Sequence, residues 1–299
     1  LIDEWVAYLR QIYGNNTLPS GTFDSNLSFV QALTESVKVV PNALLVASLP
    51  ASQIEVGGTG GQEALDRLKH TFSRVHASWL PASADESYEI VRRRLFNDVS
   101  GENIRHKDNT IKQFMRMYEN DRDSFPQGTE DGEYRKRIEI AYPIHPELFD
   151  QFYNSWSSVD RFQRTRGILR LMAKVVHELW VSNDSSVMIM PGGIPVGAQE
   201  VSPELTKYLA NGWPAIISSD VEGPQSLPLN IDTGMPSLGQ ISATRRVARA
   251  MFMATAPLDG SQNPGIDQKL VNRGVSQPGD TIVRFSDALN RLAGRATYL

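Results

Sequence analysis

The sequence predicts a helix-rich α/β protein, and three observations predict it. Leu1-Ile2 runs straight into Asp3-Glu4 before a helical pattern begins at Trp5, which reads as the end of a buried strand delivering two carboxylates to an edge. Ala43-Leu44-Leu45-Val46-Ala47-Ser48-Leu49 is apolar on both faces, which suits a parallel strand held between helices. Most of the remaining chain repeats its apolar residues at helical spacing, above all over residues 159–181.

The bulk numbers place the chain among ordinary globular proteins, with 40% hydrophobic and 21% charged residues in 299. A net charge of -4 argues against a chain-wide basic field for nucleic acid, though a local patch stays possible. There is no cysteine, so disulfides and thiolate metal sites are excluded. No apolar run reaches the roughly 18 residues of a spanning helix, and no signal peptide is visible, so a cytoplasmic protein without a membrane partner is expected. The start at Leu1, with an element seemingly under way, reads as a piece of something longer.

Taken in order, Trp5, Leu9 and Ile12 form a stripe that gives a helix over 5–13, closed by Gly14-Asn15-Asn16. Asp3 admits a second reading here, as the N-cap of that helix with Glu4 in its first turn. Leu27, Val30, Leu33 and Val37 give a second helix, capped by Asp24 or Ser25 and ended by Pro41. In the strand 43–49, Ser48 is the polar side chain near the C-terminal edge, where open α/β sheets bind ligands; it reads equally as a hydroxyl bonded to a nearby carbonyl.

Gly57-Gly58-Thr59-Gly60-Gly61 is a flexible loop that invites comparison with a phosphate cradle, but G-x-x-x-x-G-K-[ST] is absent and no Gly-Lys pair occurs. A helix over 63–75 follows, then a short strand over 75–80 ending at Pro81. Ser83-Ala84-Asp85-Glu86 fits a capping box for the helix through Phe96. Further helices are expected over 104–120 and from Pro146 onward, with 121–137 loop-like. His145, between two prolines, reads as a packed or capping residue.

In the helix 159–181, Ile168, Leu171, Met172, Val175, Val176 and Leu179 form one apolar face, while Arg166 and Arg170 lie one turn apart on another. Gly167 within it implies close approach of a neighbour or ligand. Beyond Trp180 the pattern gives strands at 187–190 and 215–219, a short helix at 202–210, an irregular stretch over 220–239, and helices at 242–255 and 287–293. Arg245, Arg246 and Arg249 fall on the outer face of the helix over 242–255.

This order of features resembles the second half of an AAA+-type P-loop ATPase. The resemblance makes Asp3 and Glu4 the Walker B pair, with Asp3 holding Mg²⁺ and Glu4 orienting the attacking water. It makes Ser48 the sensor-1 residue and Arg170, in Gly167-Ile168-Leu169-Arg170, the sensor-2 arginine on the γ-phosphate, with Arg166 as rival. Arg74 falls where an arginine finger for a neighbouring subunit stands. Whole segments (1–10, 44–52, 79–96, 141–149 with 161–171, and 242–257) are similar to a bacterial family of large predicted ATPases, known as a domain of unknown function and found in phage-defence gene clusters.

The fold so implied is a remnant of a P-loop parallel sheet, from Walker B to sensor-1 strands, over 1–82. A helical lid over 83–181 and a mixed α+β region over 182–299 follow. ATP and Mg²⁺ are the implied cofactors. DNA or defence-system proteins are the implied partners, with a homo-oligomer possible. The phosphate-binding loop would lie upstream of Leu1, so the piece alone is expected to be inactive.

The alternative is a non-enzymatic module binding nucleic acid or protein, with Arg245, Arg246 and Arg249 on phosphate backbone. Other hydrolase chemistry has no support, since Gly-x-Ser-x-Gly and His-Glu-x-x-His are both absent.

Overall fold

The computed structural model describes residues 1–15, 19–50, 56–73, 84–159, 162, 164–258 and 265–296. The chain divides into two compact units, Leu1–Pro81 and Ala82–Leu299.

The first unit holds α1 (Trp5–Ile12), α2 (Phe23–Val39) and α3 (Gly58–Ser73). The periodic residues Trp5, Val6, Leu9 and Ile12 of α1 bury against Phe23, Leu27 and Val30 of α2 and Ala64, Leu65 and Leu68 of α3. Thr22 caps α2, its hydroxyl accepting from the Ser25 amide at 3.2 Å, so the cap lies two residues before the expected Asp24. The glycine run is no loop: residues 58–61 are the first turn of α3. Gly61 is required there because a Cβ would sit 1.6 Å from the Val56 carbonyl oxygen.

The second unit is built from α4 (Ala84–Leu95), α5 (Glu102–Asn120), α6 (Gly132–Ala141), α7 (Pro146–Asn154) and α8 (Arg164–Val181). The short helices α9 (Ser202–Thr206), α10 (Trp213–Ile216), α11 (Leu227–Gly234) and α12 (Pro236–Gly239) follow. The chain then runs through α13 (Ala243–Thr255), α14 (Gln268–Val275) and α15 (Ile282–Ala293). One core cluster runs from Tyr88 to Leu292, and Ile168, Leu171, Met172 and Val175 of α8 are buried in it. Four such side chains contribute on the order of 10 kcal/mol of transfer free energy before ordering costs. The close neighbour at Gly167 is a side chain: a Cβ there would lie 3.3 Å from the Phe162 ring.

The expectation of an α/β fold with a remnant P-loop sheet is corrected. Among the described residues there is no strand, only two single-residue parallel bridges, Ile2 with Ala47 and Ile144 with Ile189. The run 43–49 lies between Pro41 and Pro50, pairs once, and leaves Leu44 84% and Val46 42% exposed, so no second layer covers it.

At 187–190, Met188 and Met190 are buried on either side of Ile189, whose amide donates to the Pro143 carbonyl at 2.9 Å. Pro143, Pro146 and Pro191 offer no N–H, so the ladder cannot lengthen. The expected strand 215–219 is helical: Pro214 stands in the first turn of α10, and residues 217–221 continue as a π-turn. The stretch 121–137 contains the start of α6, and 220–239 carries α11 and α12. The short strand expected over 75–80, together with Arg74 and Ser83, lies outside the described residues. Among those described, no helix is long and apolar enough to cross a membrane.

Candidate functional site

In the first unit the backbone of Ile2 pairs with the segment around Ala47. The Ile2 amide donates to the Val46 carbonyl at 2.8 Å, and the Ser48 amide to the Ile2 carbonyl at 3.0 Å. This pairing sets Asp3 beside Ser48 although they are far apart in sequence. The Ser48 hydroxyl donates to Asp3 Oδ1. The Glu4 amide also reaches Asp3 Oδ1, at 3.1 Å, and Ser48 Oγ, at 3.3 Å.

Glu4 stands at φ 57°, the left-handed region, where a side chain costs roughly 1–2 kcal/mol. That turn swings the chain from the extended pairing into α1. Glu4 is the residue before the helix, and neither it nor Asp3 caps α1 through its side chain, so the capping alternative for Asp3 is set aside. Asp3, Glu4 and Ser48 are all exposed above the buried Trp5 and Val6. The cluster offers oxygen donors alone. Such a set suits a hard cation such as Mg²⁺, which takes one or two carboxylates and fills its remaining positions with water or phosphate. Among the described residues no three His, Cys, Asp or Glu side chains converge as a metal cage.

Arg166 and Arg170 belong to the second unit, on α8, and the cluster around Asp3 to the first. Arg170 Nε lies 3.2 Å from Glu204, whose side chain is 2% exposed. Arg74 lies outside the described residues. A groove between α2 and α3, about 520 Å³, is lined by Asp24, Gln31, Asp66, Arg67 and His70 among others. Arg67 bridges Asp24 at 3.1 Å and Glu63 at 2.8 Å there, so its charge is satisfied within the unit.

The arginines of α13 are not an open face. Arg245 pairs with Asp232 at 3.3 Å, Arg246 with Asp280 at 2.8 Å, and Arg249 with Glu222 through Nε at 3.0 Å, all partly buried. Their expected outward, solvated placement is corrected. Asp232 also accepts the Thr244 amide at 2.9 Å, so it caps α13 from α11.

The expected packed, capping role of His145 is borne out, but sequence reasoning missed the polar network around it in the second unit. His145 is fully buried and caps α7, its Nδ1 accepting the Glu147 amide at 3.2 Å. An accepting Nδ1 puts the neutral ring's proton on Nε2, which donates to Tyr118 Oη at 2.8 Å. Burial, then the charges of Arg273 and Arg137, hold the His145 pKa well below the ordinary histidine value. Glu147 is nearly enclosed and bonds Arg273 Nε at 2.6 Å. Burial raises its pKa, and Arg273 offsets part of the rise. Burial also pushes the Tyr118 and Tyr134 hydroxyls up. Glu147 and Gln151, four residues apart on the apolar face of α7, are the local signal of this network.

No curated protein and no solved structure matches the chain. Residues 82–269, more than half of the chain, match the family model described as the DUF499 second domain, and the chain belongs to that family.

Proposed function

We propose that the chain is part of an AAA+-like protein that binds and hydrolyses ATP in the bacterial cytoplasm. It would act on DNA or partner proteins in a phage-defence setting. With the sheet corrected, the reading rests on one observation: the Ile2–Ala47 pairing joins two acidic residues and a hydroxyl from distant segments. Among the described residues both hydrogen bonds to Asp3 fall on Oδ1, and Asp3 would hold a Mg²⁺ ion through Oδ2. Glu4, next in the chain, orients water, and Ser48 fixes the Asp3 carboxylate. Mg²⁺ supplies charge neutralisation on the phosphates when bound. These 299 residues hold no G-x-x-x-x-G-K-[ST], so the phosphate-cradling backbone comes from another segment or chain.

The test is ATP binding and turnover by a polypeptide that extends this chain through such a segment. Glu4→Gln is expected to keep ATP binding and lower turnover about 100-fold or more, and Asp3→Ala to weaken Mg²⁺-dependent binding. An extended protein that binds no ATP, or a Glu4→Gln variant with full turnover, refutes the reading.

A further inference from the structure

Glu204 of α9 is enclosed, yet three cations meet it. Arg170 Nε is 3.2 Å from Oε2, Lys174 Nζ is 3.5 Å from Oε2, and Lys207 Nζ contacts Oε1. One buried carboxylate is neutralised by one cation, so this one is over-compensated. Lys174 also approaches Glu200 at 3.7 Å, which still leaves more positive than negative charge. Arg170 and Lys174 stand one turn apart on α8, and like charges at that spacing destabilise a helix. Packing α8 on α9 explains one of these contacts and not the surplus.

The layering is informative. The carboxylate is inside at 2%, while the side chains of Arg170, Lys174 and Lys207 are 65%, 33% and 31% exposed. Arg170 reaches Glu204 through Nε, and its guanidinium carries further N–H donors on a largely exposed side chain. Lys207 is steadied over the Tyr208 ring, 4.6 Å from its centroid.

We propose that Arg170, Lys174 and Lys207 form a binding site for a short phosphate chain, held in place from beneath by Glu204. All three cations converge on a single carboxylate, so the positive charge is compact. A compact focus fits consecutive phosphates of one small molecule better than the spaced charges of a nucleic-acid backbone. The site shares Arg170 with the phosphate-contacting arginine that the ATPase resemblance implies, and goes beyond that reading in Lys174, Lys207 and Glu204, with nothing from Asp3, Glu4 or Ser48. Only the identification of the chain as a nucleotide's rests on that reading.

The experiment is calorimetric titration of the 299-residue chain with tripolyphosphate, ATP, AMP and a single-stranded oligonucleotide at low and high salt. Tripolyphosphate and ATP are expected to bind alike, AMP more weakly, all weakening with salt. Arg170→Glu and Lys207→Glu should each raise the tripolyphosphate Kd about 10-fold or more. Arg170→Lys should keep part of the affinity, and the remote Arg135→Ala all of it. Circular dichroism checks folding; Arg170→Gln replaces Arg170→Glu if the reversal does not fold. No tripolyphosphate binding at low salt, unchanged affinity in the Arg170 and Lys207 variants, or oligonucleotide binding without tripolyphosphate binding overturns the proposal. Tripolyphosphate binding alongside an extended protein inactive toward ATP would uphold this site and sink the ATPase reading alone.

Discussion

Lowering the pH from 7.5 to 5 should destabilise the second unit through His145. In the unfolded chain this ring takes up a proton near pH 6.5; in the folded chain it refuses one until far lower pH. The unfolded state therefore binds more protons across that window. His145's contribution is complete above the unfolded pKa and is lost as pH falls below it. The cause is visible in the packing. A proton on Nδ1 would face the Glu147 amide it now accepts from, and a charged ring would join Arg273 and Arg137 in a site closed by Tyr118, Tyr134 and Phe114.

Each pH unit below 6.5 costs about 1.4 kcal/mol, so the loss at pH 5 is about 2 kcal/mol. Glu147 works in the opposite direction. Its folded pKa is raised, so its contribution is full below its unfolded value and declines as pH rises through the folded one. The His145 part is isolated by His145→Asn, which keeps an acceptor for the cap but does not titrate. Urea unfolding followed by fluorescence of the buried Trp156, at steps from pH 5 to 7.5, gives both profiles. The wild type should lose about 2 kcal/mol more than the variant over that range. Parallel profiles would refute the assignment of a buried neutral imidazole.

Three further outcomes are expected. Arg273→Met strands the enclosed Glu147 carboxylate and should cost about 3–5 kcal/mol in urea unfolding, while adding Glu147→Leu should recover part of the loss. Asp232→Ala removes the cap of α13 and should cost about 1–2 kcal/mol, read by thermal melting; Asp232→Asn, which keeps the acceptor, should cost less. Gly61→Ala drives a Cβ into the Val56 carbonyl and should cost about 1–3 kcal/mol, seen as faster amide exchange in α3 with α13 unchanged.

What could be read in advance follows from where each signal resides. The helices at 5–12, 102–120 and 164–181 declare themselves because their apolar residues repeat with the period of the element that buries them. Pro146 and the capping role of His145 are equally local. The runs 43–49, 187–190 and 215–219 misled because a continuous apolar stretch has no period. It states a wish for burial, not a conformation, and prolines around two of the three prevent a ladder. The arginines of α13 show the converse limit. Their spacing is legible, but Asp232, Glu222 and Asp280, which neutralise them, come from other segments.

Glu147 and Arg273 stand 126 positions apart, and only the packed chain pairs them. The same holds for Asp3 and Ser48. Residue types and their order suggested a shared task, but the meeting depends on two backbone hydrogen bonds at Ile2, with no sheet beyond them among the described residues. A site held by a single bridge is held chiefly by Trp5 and Val6 packed beneath it. Substitutions at those two apolar residues should therefore disturb the carboxylate–hydroxyl pair as surely as changes to Asp3 itself.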